Sequence, residues 1–176
     1  MKDLFRQELR DMYDSEKRII NALSKLIEVT ACPEVKSALQ AHLRETRDQK
    51  VKLETVFDAI GENPETTVSL AMNGITGPSD DPVSKTKSLT LNAVAICAAQ
   101  TICAAQKVED FEIATYGGLH TWAQLLDNPE AARMLKEFLE ERERAADRTL
   151  KELSAAVNED AVEEVGAEVS ASNALR

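Results

Sequence analysis

Between Asp3 and Val29 the apolar residues recur at three- and four-residue intervals: Leu9, Met12, Ile19, Ile20 and Leu23 share one arc of a helical wheel, while Arg10, Asp14 and Lys17 point elsewhere. This pattern predicts a first helix over about Asp3 to Val29, ending near Thr-Ala-Cys-Pro, where Pro33 blocks continuation and opens a second helix. The second helix, about Pro33 to Ile60, turns Val35, Leu39, Leu53, Val56, Phe57 and Ile60 inward and stops at Gly61 in a Gly-Glu-Asn-Pro turn. Residues 65 to 75 add at most a short helix, and Gly74, Gly77, Pro78 and Pro82 make 76 to 83 a loop or crossover between two helix pairs. A third helix starts near Ser84, is apolar nearly all round through NAVAICAAQTICAAQ, and continues through KVEDFEIATY until Gly117 and Gly118 weaken or kink it. Asp127-Asn128-Pro129 reads as the cap of a fourth helix, about Pro129 to Val157. The tail from Asn158, with Val162, Val165 and Val169 among acids, either forms a short terminal helix or frays.

The expectation is an all-α protein: a four-helix bundle with a crossover connection over 1–157, and a tail or short C-terminal helix over 158–176. Composition agrees. Aromatics make up 4% of the 176 residues, and Ala, Leu, Glu, Lys and Arg dominate, as in helical proteins.

One residue breaks the pattern of the first helix. Glu16 falls inside the apolar arc, so its carboxylate is predicted to face the core, where it must be paired, protonated or bound to a metal. Other helices bring similar groups inward. On the second, His42 lies in the middle of the apolar arc with Gln49 close to it and Glu45 at its border. On the third, Glu109 and Glu112 flank the direction of Ala105, Val108 and Tyr116, whereas Lys107 and Asp110 point away. The fourth offers Glu140, Glu143 and Asp147, the last two one turn apart at the edge of the arc set by Leu135, Phe138, Ala146 and Leu153. Carboxylates with an occasional imidazole, projecting to one level from four helices, are what one or two iron or manganese ions require, and such a site serves peroxide- or oxygen-linked chemistry. Glu45, Glu109, Glu143 and Asp147 also have a plain alternative as solvated surface groups, which Glu16 and Glu112 fit less well, and His42 has one as a hydrogen-bonded core histidine. Tyr13 and Tyr116 are available to donate to the interior carboxylates; His120 has no partner that the pattern identifies.

Charge narrows the partners. With 21 basic and 31 acidic residues the formal charge is −10, which disfavours nucleic acid and anionic membranes and favours cations. The opening MKDLFRQELRDMYDSEK is charged from its first turn and no run of 18 apolar residues follows, so a cytoplasmic location is expected. The 3 cysteines, Cys32, Cys97 and Cys103, do not make a disulfide frame or a zinc pair; Cys97 and Cys103 read as small core residues.

LRDMYDSEK, AHLRETRDQ, AAQKVEDFEIATYGGL and LEERERAAD together resemble the four helices of the YciF-type bacterial stress proteins, a branch of the ferritin-like superfamily, over roughly residues 3 to 157. The resemblance implies the bundle with its crossover, a homodimer and a role in stress responses. Carried over position by position, it implies a metal site made from Glu16, Glu45, Glu109, Glu112, Glu143 and Asp147, and His42, from its own place in the apolar arc, is expected to support it. The chain departs from the family at two places. Asp110 and Phe111 stand in a segment that commonly reads Val-Glu-His-Tyr-Glu, and Arg142 follows Leu139 where a glutamate is usual. Two arrangements remain open for the fourth helix: a π-bulge near residues 140 to 143 turns Glu143 inward, or Arg142 enters the bundle and neutralises Glu16 and Glu112. The second arrangement leads to a non-enzymatic, stress-associated dimer whose core is held by an Arg142–carboxylate network without metal.

Overall fold

Helix α1 spans Lys2–Val29 and α2 spans Pro33–Ile60, joined by a turn too short for anything but an antiparallel hairpin. Pro33 sits at the start of α2, and Gly61 ends it in the left-handed region at φ 69, its N–H returning to the carbonyls of Phe57 and Asp58. Helix α3 runs Val94–Leu125 and α4 runs Pro129–Ala145. The side chain of Asn128 accepts from the Ala131 N–H at 3.1 Å, the cap that the Asn-Pro pair predicted. These coordinates belong to a computed structural model that describes residues 1–30, 32–65, 69, 94–145 and 154–155, with 94–100 and 145 by backbone alone. The expected start of α3 near Ser84, the loop at 76–83, Asp147 and the tail lie outside the described residues.

Helix direction follows from who meets whom. Phe5 and Leu9 at the start of α1 share an apolar cluster with Phe57 at the end of α2, Leu119 and Ala123 near the end of α3, and Ala131 and Leu135 at the start of α4. Thus α2 and α3 end at the same end of the bundle. The chain between them has to return along its whole length, about 48 Å for a helix of α3's 32 residues. That is the crossover connection expected from the sequence. Ser69, buried, has its N–H 3.2 Å from Asp14 Oδ2 at the middle of α1.

Gly117 and Gly118 do not interrupt α3, contrary to expectation. Each costs about 1 kcal/mol relative to alanine in a helix, but Tyr116, Leu119 and Ala123 are buried against α4 and hold the segment helical. A Cβ at Gly117 would lie 4.0 Å from Leu139, an ordinary van der Waals contact, so the approach of α4 does not require the glycine. Cys103 is exposed and not a core residue: Ile102 and Ala105 take the inward direction, which turns Cys103 outward. The side chain of Cys97 is outside the described set. His120 does find a partner, with Nδ1 2.8 Å from the Ala132 carbonyl, tying α3 to α4.

Two apolar clusters fill the interior, and they are separated along the bundle. One holds Leu9, Met12, Leu53, Phe57, Tyr116, Leu135 and Phe138; the other holds Ile19, Leu23, Val35, Leu39, Ile102 and Ala105. Between them, at one level, every helix contributes a polar group. Replacing fully buried Leu9 with Ala should lower the unfolding free energy by about 3 kcal/mol, whereas Cys103→Ser should change it by less than about 0.5 kcal/mol; urea denaturation of the two variants checks both placements.

Candidate metal centre

The polar level is built from α1 Glu16, α2 His42, Thr46 and Gln49, α3 Glu109 and Glu112, and α4 Arg142, all buried. Each sits at a position where its helix's apolar spacing continues: Met12–Glu16–Ile19 on α1, Leu39–His42 on α2, Ala105–Glu109–Glu112–Tyr116 on α3, and Leu135–Phe138–Arg142 on α4. The backbone therefore aims these groups inward for the same reason that it aims leucines inward.

His42, Glu109 and Glu112 each offer one ligand atom, and those atoms lie within 4.8 Å of one another. His42 Nε2 is 3.3 Å from Glu109 Oε1 and 3.6 Å from Glu112 Oε2. Arg142 reaches the same two oxygens: Nη1 is 3.4 Å from Glu109 Oε1 and 3.6 Å from Glu112 Oε2, while Nη2 is 3.5 Å from Glu45 Oε2. These separations exceed the roughly 2.8 Å of a charge-assisted hydrogen bond. Tyr116 donates to Glu16 Oε1 at 2.6 Å. The remaining valences are empty: Glu16 Oε2, both Glu112 oxygens, both His42 ring nitrogens, both Gln49 amide atoms and Arg142 Nε are buried without a hydrogen-bond partner. Thr46 spends its hydroxyl on the His42 carbonyl.

The predicted residues thus divide. Glu16, His42, Glu109 and Glu112 come together in the interior. Glu45 stands at the rim, 50% exposed, touching the cluster only through Arg142. Glu143 is exposed and does not reach it. The reason is geometric. Helix α4 stays a regular α-helix through Ala145, so Arg142 takes the inward position four residues after Phe138, and Glu143, about 100° further round, faces out. Of the two arrangements left open by the sequence, the arginine one is found. Tyr13, buried beside Phe57, donates to Glu54 at 2.7 Å and not to the interior acids.

The comparisons with known proteins cover the same stretch of chain. Residues 1–163 match the family described as a domain of unknown function, DUF892. The chain belongs to this family. It is 35% identical to protein YciF of Escherichia coli strain K12 over 155 residues, 88% of this chain and 90% of that one. The crystal structure of the E. coli stress protein YciF superposes with a TM-score of 0.78 at 33% identity, covering 90% of this chain and 96% of that one. The Rhodopseudomonas palustris protein YcfI superposes with a TM-score of 0.75 at 30% identity, over 90% and 92% of the two chains. The fold of this DUF892 protein is accordingly the ferritin-like helical bundle that the sequence resemblance implied. Among the described residues no helix is long and apolar enough to cross a membrane.

Electrostatics at the DUF892 centre follow from burial. Glu16 is raised well above the ordinary carboxylate range by desolvation and then by the charge of Glu112, with the Tyr116 hydrogen bond and Arg142 opposing. Glu109 is raised to about 7, by desolvation first, with His42 and Arg142 opposing and Glu112 adding to the rise. Burial alone would lower His42, but Glu112 and Glu109 outweigh it and the imidazole is raised from 6.5. Arg142 stays charged, because the four surrounding carboxylates overcome its desolvation. Tyr116, desolvated and facing Glu16, keeps its proton and remains a donor.

The sign of the linkage is the same for Glu16, Glu109 and His42. These three hold protons more tightly folded than unfolded, so their favourable contribution is complete below the unfolded values of 4.5 and 6.5 and is lost as pH rises through the folded ones. Metal-free protein in chelator should therefore have a higher urea midpoint near about pH 5 than near about pH 8. A midpoint that rises over that interval would contradict the shared burial of these groups.

Proposed function

We propose that this protein is a stress-response bundle that binds one iron or manganese ion through Glu16, Glu109, Glu112 and His42. The observation that carries the reading is the set of unsatisfied buried atoms, Glu16 Oε2, both Glu112 oxygens and the His42 nitrogens, on three different helices. Native interiors rarely leave such atoms without partners, and a cation among His42, Glu109 and Glu112 would take one imidazole nitrogen and carboxylate oxygens, with Glu16 reaching it from α1. Three carboxylates and an imidazole suit a hard-to-borderline divalent ion. One ion fits better than two, because Glu143 points to solvent and Arg142 already brings a positive charge to Glu109 and Glu112.

Bound there, such an ion supplies one-electron chemistry towards peroxide or oxygen. The chain's own residues do the rest. Tyr116 fixes the orientation of Glu16 through its 2.6 Å hydrogen bond. The apolar clusters above and below keep bulk water away from the polar level. Glu45, at the rim, marks the side from which a cation reaches the interior. Action as a homodimer in the cytoplasm belongs to the same reading and rests on the family; light scattering giving the mass of two chains supports it, and that of one chain does not.

A second reading is favoured by Arg142, which already meets Glu45, Glu109 and Glu112 and leaves the bundle a stress-associated scaffold without metal. Protein purified without chelator decides between them. About one equivalent of iron or manganese, and stabilisation of about 2.7 kcal/mol at a hundredfold excess of metal over Kd, is expected for the metal reading. Glu112→Gln should lose both effects and Glu143→Gln should keep them. Metal-free protein whose thermal midpoint ignores added Mn2+ and Fe2+ would leave the arginine network standing alone.

A further inference from the structure

Arg142 and a bound cation would need the same two oxygens. Nη1 lies against Glu109 Oε1 and Glu112 Oε2, which are also the two atoms nearest His42 Nε2. An ion held by Glu109 and Glu112 would compete with Nη1 for these oxygens. A guanidinium has five N–H donors and no lone pair to offer, so it cannot join the coordination and can only repel the ion across a dry interior.

We propose that Arg142 is a displaceable internal counter-ion, which holds the place of the cation in the metal-free bundle and swings out towards Glu45 when the ion enters. This rests on the metal reading above and adds to it a gate built from this chain's own departure at the fourth helix. Two features of the geometry carry it. The hydrogen bonds of Arg142 to Glu109 and Glu45 are long, 3.4 to 3.5 Å, and its Nε is buried with no hydrogen bond, so the guanidinium is held by charge more than by directed bonds. Its Nη2 already faces Glu45, whose side chain is half exposed, so an exit with a carboxylate partner lies beside it.

Two consequences follow for the bundle. Metal affinity is lower than the carboxylate set alone would give, because part of the binding free energy goes to expelling the guanidinium. Loading also converts a buried arginine into an exposed one, which gives the metal-bound state a surface that the metal-free state lacks.

The test uses the wild-type protein and one variant, with Mn2+ as the probe. Phenylglyoxal modification of Arg142, followed by mass spectrometry of the peptide that contains it, should be slow in chelator and rise severalfold on adding Mn2+, while Arg133 on the exposed face of α4 reacts equally in both. Arg142→Met should bind Mn2+ about tenfold more tightly than wild type and have a lower thermal midpoint without metal. If wild type binds Mn2+ but Arg142 stays protected, the displacement is overturned and the metal site survives. If wild type binds no Mn2+, the metal reading itself fails, and the gate with it. The labelling arm needs only wild-type protein, so it decides the matter even if Arg142→Met does not fold.

Discussion

Ionisable groups taken out of water at the same depth must neutralise one another, and this bundle carries four of them, Glu16, Glu109, Glu112 and Arg142, in its dry middle with His42 beside them. Nothing in bulk solvent screens them there. Isolated, each carboxylate would cost several kcal/mol or take up a proton. Together, the Arg142 charge and the raised proton affinity of Glu16, Glu109 and His42 move the cluster towards balance. The register of all four helices is tied to that balance, because sliding any helix by one turn would strand a charge among leucines.

The two apolar clusters give the polar level its character. They supply the burial that holds the bundle together, and they also create the low dielectric that raises Glu16 and Glu109. Stability and reactivity are therefore set against each other. A core of apolar residues at this level would be the more stable one. What the polar level provides in return is a set of buried atoms with unused hydrogen-bonding capacity, which is the physical basis for reading it as a place for a cation.

Arg142 sets the charge balance of the bundle's interior. An arginine at the inward position of α4 brings a permanent positive charge that cannot be titrated away, and its reach to Glu45 connects the interior to the rim. It accounts for how the acids are tolerated before any ion arrives, and it sets a competition for the oxygens that an ion would use. Surface ion pairs such as Lys52–Glu141 between α2 and α4 lie in solvent and add little to this.

The helices themselves were legible in the chain. Three- and four-residue apolar spacing, Pro33, Gly61 and Asn128 set the ends of α1, α2 and α4's start, because capping and periodicity are local properties of the backbone. The inward direction of Glu16, His42, Glu109 and Glu112 was legible for the same reason: a helix fixes where its side chains point. Packing decided the rest. Gly117 and Gly118 are helical because neighbouring α4 buries the residues around them, and Cys103 faces out because Ile102 and Ala105 claim the interior. Whether Arg142 or Glu143 enters the bundle depended on α4 remaining a regular helix when docked on α3 and α2. Local sequence leaves that choice between two residues about 100° apart to the tertiary contacts.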